Sequence, residues 1–266
     1  MRGPSIIVLA ATLTSMGAFA VLAQGQGLEE NEVDGRRSGY LYIGEQTRAL
    51  QDDDFLNPGM FAVEYGRALW VRPDGTEGLS CASCHGDAEE AMRGVAARYP
   101  RYDEARGGVI NLELMINRER AERMGADDFE YEGEELLALT AYIANQSRGL
   151  PVEIDVSGPA EPHFEAGRDF FYERRGQLDL SCAQCHEDLD GRLLRGDLIS
   201  QGQTNGFPFF RLMWDSIAST HRMFEWCNVS VRAEPYALGS DEYLDLELYV
   251  AWRGQGLLME TPAVRR

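Results

Sequence analysis

Four of the five cysteines lie in two copies of one short motif, C-x-x-C-H. The copies are Cys81-Ala-Ser-Cys84-His85 and Cys182-Ala-Gln-Cys185-His186. This pentad is typical of c-type haem attachment, in which the two thiols bond to the haem and the histidine ligates the iron from one side. A zinc site, a thioredoxin-like redox pair or structural disulfides would not explain the histidine that follows the second cysteine in both copies. The sequence therefore predicts two covalently attached haems, with His85 and His186 as iron ligands.

The N-terminus has the pattern of a secretory signal peptide. After Met1 and Arg2, an apolar run extends from Ile6 to Leu22, and small residues precede Gln24. This pattern predicts a signal peptide at residues 1–23, with a retained membrane anchor as the alternative. No later apolar run is long enough to span a bilayer. Since c-type haem is attached on the exported side of bacterial membranes, we expect a periplasmic protein.

The chain is strongly acidic. All 25 basic residues are arginine, and removal of residues 1–23 leaves 24 arginines against 44 acidic residues, a net charge of −20. Such a charge disfavours binding to nucleic acid or to anionic membrane surfaces. Arginine is then the only basic residue available to bind an anion.

The two pentads belong to a longer internal repeat. Glu-x-Gly-Arg at residues 64–67 and the segment 79–85 recur at 165–168 and 180–186, displaced by 101 residues. Residues 134–149 correspond to 241–256, where acidic residues followed by apolar residues at helical spacing predict a closing helix in each half. An aromatic residue four positions after the repeated glycine predicts a close helix crossing with a ring packed beside it.

The repeat predicts a mainly α-helical protein of two tandem cytochrome c-like domains, each with one covalently attached c-type haem. The first domain is expected at residues 55–149 and the second at 163–266. A linker rich in proline and glycine separates them at residues 150–162. The acid-rich segment 24–54 is expected to form a solvated N-terminal arm or cap.

The fifth cysteine, Cys227, has no sixth cysteine with which to pair. One interpretation is a buried thiol that behaves as a small apolar group. An unpaired thiol is a liability in an oxidising compartment, however, unless it is protected or used. Ferric iron favours the thiolate form and would do both. We therefore predict that Cys227 ligates the iron of the second haem, opposite His186.

The residues around Cys227 form specific strings beside the two pentads. They are Arg211-Leu-Met-Trp, His221-Arg, Cys227-Asn-x-x-Val-Arg-Ala-Glu-Pro-Tyr and the C-terminal Glu260-Thr-Pro-Ala-Val-Arg-Arg. These strings resemble the SoxA subunit, in its dihaem form, of the SoxAX cytochromes. The similarity extends from about residue 50 to the C-terminus.

The resemblance implies an L-cysteine S-thiosulfotransferase. Such an enzyme oxidatively couples thiosulfate to the C-terminal cysteine of a SoxYZ-like sulfur carrier, and two electrons leave through haem to a small SoxX-like partner cytochrome. The cysteine at position 227 is implied to ligate the second haem and to carry a persulfide during turnover. Because thiosulfate is a dianion, an arginine should orient it, and Arg222 and Arg232 are the predicted substrate-binding residues.

Two positions depart from the family pattern. Dihaem members have a cysteine ligand for the first haem in a string like I-N-x-C-R, where this chain has Glu119. The sixth ligand of the first haem is therefore unassigned, with Met115, Met124 and Glu119 as candidates. The family pattern also has an arginine four residues before the active cysteine, where this chain has Met223.

Other functions are compatible with two haem pentads. The principal alternative is a dihaem electron carrier without sulfur-transferase activity. A dihaem thiosulfate dehydrogenase and a dihaem peroxidase are further alternatives.

Overall fold

Residues 30–266 are described by the structure, a computed structural model. The predicted signal peptide, residues 1–23, lies outside the described residues. The α-helices are α1 Glu45–Asp52, α2 Met60–Val71, α3 Cys81–His85, α4 Ala88–Ala91, α5 Leu112–Glu119, α6 Glu134–Asn145, α7 Glu161–Tyr172, α8 Cys182–His186, α9 Thr220–Ser230 and α10 Asp241–Arg253. Short 3-10 turns cover Gly39–Tyr42, Ala96–Arg98 and Gly158–Ala160, and a π-helix covers Arg120–Met124. The chain is thus mainly helical, and no helix within residues 30–266 is both long and apolar enough to cross a membrane.

Two helix pairs form the framework, one in each half of the repeat. Helix α2 packs against α6, and α7 packs against α10. At each crossing the repeated glycine allows the backbones to approach, because a Cβ on Gly66 would collide with the carbonyl of Ala138 and one on Gly167 with that of Asp245. The close crossing predicted from the repeat is confirmed, and these glycines are needed for packing.

The closing helices α6 and α10 supply much of the apolar core. Leu136 and Leu139 of α6, and Leu244 and Leu248 of α10, are all at most 1% exposed. They belong to one continuous cluster of apolar side chains, so the two halves share a core. Full burial of a leucine side chain contributes about 2 kcal/mol of hydrophobic stabilisation.

Short strands organise the segments between the helices. They are β1 Glu32–Val33, β2 Arg36–Arg37, β3 Arg101–Asp103, β4 Gly108–Ile110, β5 Leu193–Leu194, β6 Asp197–Leu198, β7 Phe209–Arg211, β8 Ser216–Ala218 and β9 Val264–Arg265. Four antiparallel pairs form, β1–β2, β3–β4, β5–β6 and β7–β8. Strand β9 pairs with β7 in parallel.

The hairpins β3–β4 and β7–β8 each lead directly into a capped helix. The Asn111 side chain accepts a hydrogen bond from Leu114 N at 3.1 Å and begins α5. The Ser219 hydroxyl accepts one from Arg222 N at 3.1 Å and begins α9. Satisfying these free N–H groups fixes where each helix begins. For α9, this cap determines the position of Cys227.

The π-helix Arg120–Met124 accounts for a difference between the halves. From the cap Asn111 to Met124 the chain has one residue more than from the cap Ser219 to Val231. Both segments nevertheless end in the same backbone contact, since Glu77 N donates to Met124 O at 3.1 Å and Leu178 N to Val231 O at 3.3 Å. A π-helix accommodates one extra residue within a helical turn. The added residue is therefore absorbed locally.

Residues 30–54, the described part of the acidic arm, lie on the second half. Gln51 is 4% exposed, and its Oε1 accepts hydrogen bonds from Val264 N at 3.0 Å and Arg265 Nη1 at 2.6 Å. Arg37 N donates to Gln201 Oε1 at 2.8 Å. This segment thus joins the C-terminal strand to the loop that follows the second pentad.

A cluster of buried polar groups lies between the halves. The Glu247 Oε2 atom accepts a hydrogen bond from Asn111 Nδ2 at 3.0 Å and lies 3.0 Å from His221 Nε2. His221 Nδ1 accepts from Gly239 N at 3.0 Å, which leaves Nε2 as the protonated nitrogen. Burial, and then the charge of Glu247, raises the pKa of Glu113 to about 8. We conclude that Glu113 is neutral at pH 7.

Candidate haem and thiol site

Each C-x-x-C-H pentad forms a single helical turn with a capping box. In α3, Ser80 Oγ accepts from Ser83 N at 3.2 Å while Ser83 Oγ accepts from Ser80 N at 3.0 Å. In α8, Ser181 and Gln184 exchange the same two hydrogen bonds at 3.3 and 2.9 Å. Capping boxes satisfy free N–H groups at a helix start. Because residues three apart in a helix share a face, both thiols of a pentad can bond to one haem.

All five cysteines are free thiols. Since none of them forms a disulfide, both pairs of pentad thiols are available for thioether attachment.

His186 is prepared to bind iron through one nitrogen. Its Nδ1 lies 2.7 Å from the Ser200 carbonyl oxygen, and since a carbonyl only accepts, Nδ1 carries the hydrogen. The Nε2 lone pair is then the one left for a metal, an arrangement common among histidine ligands. Burial also lowers the pKa of His186, which favours the neutral, ligating form. Gly202, at φ 74°, lies against this ring, and a Cβ there would be 3.0 Å from it.

The first pentad has an aromatic neighbour instead. The ring of Trp70 lies 5.8 Å from that of His85, and its Nε1 donates to Gly86 O at 2.9 Å. The indole of α2 thereby fixes the loop that leaves the pentad.

The structure brings Cys227 to the second pentad. Burial raises the pKa of its thiol to about 12, the nearby Cys182 and Cys185 raise it further, and Arg211 opposes them. A thiolate in such a position needs a cation, and ferric iron would supply one. The donor set of His186 and Cys227 beside two attachment thiols fits a haem with nitrogen and sulfur ligands. When bound, that haem would supply one-electron acceptance.

The first half places different side chains beside its pentad. Burial raises the pKa of Cys81, and the charge of Arg120 opposes that rise. Arg120 is buried, its Nη2 donates to Asp74 Oδ2 at 3.0 Å, and its guanidinium lies 3.4 Å above the Phe129 ring. The positive charge that acts on the Cys81 thiol of the first pentad is therefore that of Arg120.

The side chains weighed as ligands for the first haem have the following positions. Glu119 has a side chain that is 43% exposed and lies 3.7 Å from Arg123 Nε. Met115 Sδ accepts from Arg118 Nη2 at 3.1 Å, and Met124 is buried in the π-helix.

The two predicted substrate-binding arginines have other contacts. Arg222 lies 4.6 Å over the Trp214 ring, and its Nη1 donates to Ser216 Oγ at 3.1 Å. Arg232 is exposed, with a left-handed backbone of φ 59°, and its carbonyl accepts from Gln177 N at 3.2 Å. None of these contacts of Arg222 and Arg232 involves Cys227.

Arg211, which the sequence analysis did not single out as a site residue, lies in this region instead. Its guanidinium lies 4.7 Å from the Trp214 ring and 4.6 Å from the Trp226 ring, and its Nη1 donates to Met223 Sδ at 3.3 Å. The Arg-x-x-Trp spacing was visible in the sequence and is compatible with this cation–π contact. Its approach to Cys227 depends on its contacts with Met223 and Trp226 of α9, which no local pattern indicates.

Comparisons with known proteins agree on one family. The family model "SoxA/TsdA, cytochrome c domain" matches residues 65–152. The L-cysteine S-thiosulfotransferase subunit SoxA of Rhodovulum sulfidophilum is 48% identical over 86% of this chain and 80% of its own length. The subunit of the same name from Pseudaminobacter salicylatoxidans is 45% identical over 90% of this chain and 84% of its own length.

A solved structure shows the same fold. The chain superposes on the crystal structure of SoxXA from P. pantotrophus with a TM-score of 0.85 and 40% sequence identity, covering 93% of this chain and 90% of that one. With this similarity over nearly the whole described length, and with a cysteine beside a haem pentad, the chain belongs to the SoxA family of L-cysteine S-thiosulfotransferase subunits.

Proposed function

We propose that this protein couples thiosulfate oxidatively to a cysteine of a SoxYZ-like sulfur carrier in the periplasm. It would do so as the two-haem, two-domain partner of a SoxX-like cytochrome. The observation that supports this most directly is the position of Cys227, an unpaired and partly buried thiol, beside the thiols of the second pentad. An unpaired thiol at that position is placed both to ligate iron and to react with sulfur compounds.

The net reaction balances with two one-electron acceptors. The S–H bond of the carrier cysteine breaks, a bond forms between its sulfur and the outer sulfur of thiosulfate, and one proton and two electrons are released. The reaction needs two one-electron acceptors, and c-type haems held by the pentads of this chain and by the partner cytochrome would supply that capacity. The product is a carrier cysteine thiosulfonate.

Cys227 is proposed to enter the reaction as a persulfide. Its terminal sulfur forms a bond with the outer sulfur of thiosulfate as two electrons leave. The carrier thiolate then attacks that outer sulfur, and the bond to Cys227 breaks, which regenerates the persulfide. Exchange of this kind proceeds readily because a sulfur chain is both polarisable and a good leaving group.

Intact-mass analysis of the haem-loaded protein, together with Cys227→Ala, tests the proposal. The mass should include two haems and one additional sulfur, which is lost on reduction. The Cys227→Ala variant should keep both haems, because the thioether cysteines are unchanged, but lose the sulfur adduct and at least about 1000-fold in coupling rate. Unimpaired coupling by this variant would show that Cys227 is not the reacting group. A protein with two haems but no coupling under any condition would be an electron carrier instead.

A further inference from the structure

Arg211 is a buried cation that forms no close ion pair among the described residues, although the charge of Asp197 acts on it. It is 9% exposed, and its Nε has no hydrogen-bond partner. The buried Arg120 differs, since it pairs with Asp74 at 3.0 Å, and the partly buried Arg265 pairs with Glu260 at 2.8 Å. Burial of an unpaired charge is costly, so such a group persists where a ligand or a reaction uses it.

The surroundings of Arg211 direct it toward the reacting sulfur. Its guanidinium lies against the rings of Trp214 and Trp226 and against the sulfur of Met223. Met223 and Cys227 are four residues apart on α9 and therefore share a face of that helix. Trp226, whose ring lies 4.6 Å from the guanidinium, directly precedes Cys227 on the same helix.

These neighbours hold the guanidinium but do not neutralise it. The two indoles contact it through their rings, and the methionine sulfur is a weak acceptor. A planar cation held in this way keeps N–H donors available for an oxyanion. The apolar surroundings strengthen its attraction for an anion relative to that in bulk water.

We propose that Arg211 binds the sulfonate end of thiosulfate and so directs its outer sulfur toward Cys227. This assignment rests on the proposed function. It also names the class of ligand: a small sulfur oxyanion with a sulfonate group, such as thiosulfate or sulfite. Arg211 would thus provide the positive charge that neither Arg222 nor Arg232 brings to Cys227.

Variants of Arg211 in the complete, haem-loaded complex with its partner cytochrome test this role. Arg211→Met keeps an unbranched apolar side chain but removes the charge and the donors. The KM for thiosulfate should rise at least about 50-fold, equivalent to about 2.3 kcal/mol, with a smaller change in kcat. Arg211→Lys keeps the charge without the planar guanidinium, so its KM should lie between those of the wild type and Arg211→Met. The exposed surface residue Arg67 provides the control, and Arg67→Gln should leave KM unchanged.

A binding measurement separates this role from a structural one. Titration of the oxidised complex with thiosulfate, followed by perturbation of the haem absorption, gives a Kd without turnover, and Arg211→Met should raise that Kd by the same factor. Guanidinium ion added to Arg211→Ala should restore part of the affinity.

Several outcomes would overturn the assignment. An unchanged KM and Kd in Arg211→Met would do so while leaving the proposed function intact, provided that Cys227→Ala is inactive. A shifted haem spectrum and potential with an unchanged Kd would show that Arg211 pairs with a haem propionate instead. If Arg211→Met fails to load haem, Arg211→Lys and Arg211→Ala provide the test. A wild-type Kd in Arg211→Lys, together with no gain of affinity when guanidinium ion is added to Arg211→Ala, would refute the proposal. Coupling by Cys227→Ala would instead remove the proposed function itself.

Discussion

The buried carboxyl of Glu113 predicts an unusual pH dependence of stability. Burial and the negative charge of Glu247 raise its pKa from 4.5 to about 8. Between these values the folded protein holds a proton that the unfolded chain has released, so stability falls as pH rises. The slope is about 1.4 kcal/mol per pH unit, and the loss reaches on the order of 5 kcal/mol by pH 8. Below pH 4.5 the folded and unfolded states both hold this proton, and no stability is lost.

Glu113→Gln removes this titration while keeping a neutral polar side chain of similar shape. Its free energy of unfolding should equal that of the wild type near pH 4.5. It should be higher by about 3 kcal/mol at pH 7 and by on the order of 5 kcal/mol at pH 8 and above. Comparing the two proteins cancels the titration of groups elsewhere in the chain that do not interact with position 113.

The assay is guanidinium chloride unfolding of the haem-loaded protein at several pH values from 4.5 to 9, monitored by far-UV circular dichroism. Glu153→Gln, at an exposed carboxyl, is the matched control and should change stability by less than about 0.5 kcal/mol throughout. A Glu113→Gln difference that is flat with pH, or that grows toward acid, would refute the reasoning.

Two further predictions concern the framework. Gly167→Ala should destabilise the protein by at least about 3 kcal/mol, because the added methyl collides with the backbone carbonyl of Asp245. Gly44→Ala has open space around its Cβ and φ −70°, so it should cost only about 0.5–1 kcal/mol for the weaker N-cap, and thermal unfolding compares the two variants. Ser181→Ala should cost about 1 kcal/mol by removing one arm of the second capping box, measured by denaturant unfolding, and an unchanged midpoint would show that the cap adds no stability.

The helical framework was largely readable from the sequence. The acid-led apolar segments at 134–149 and 241–256 contain the helices Glu134–Asn145 and Asp241–Arg253. The repeated glycines indicated the close crossings. These features are local, because helical periodicity and a glycine position depend on neighbours within a few turns.

The contacts around Cys227 were less accessible to sequence reasoning. The approach of Arg211 depends on a hairpin whose strands have three residues each, too short for a period of two to stand out. The acid-rich segment 30–54 suggested exposure, yet Ser38 and Gln51 are buried because Glu260 and Val264 of the C-terminal segment satisfy their side chains. Such long-range pairing has no signature within the segment itself.

The π-helix Arg120–Met124 has a consequence for how the two halves can diverge. An extra residue in a regular helix would rotate everything after it by about 100°. Confined to one wide turn, the insertion instead leaves both the capped start and the backbone contact at Met124 in place. The turn acts as a spacer that lets the side chains facing the first pentad change while the shared framework is preserved.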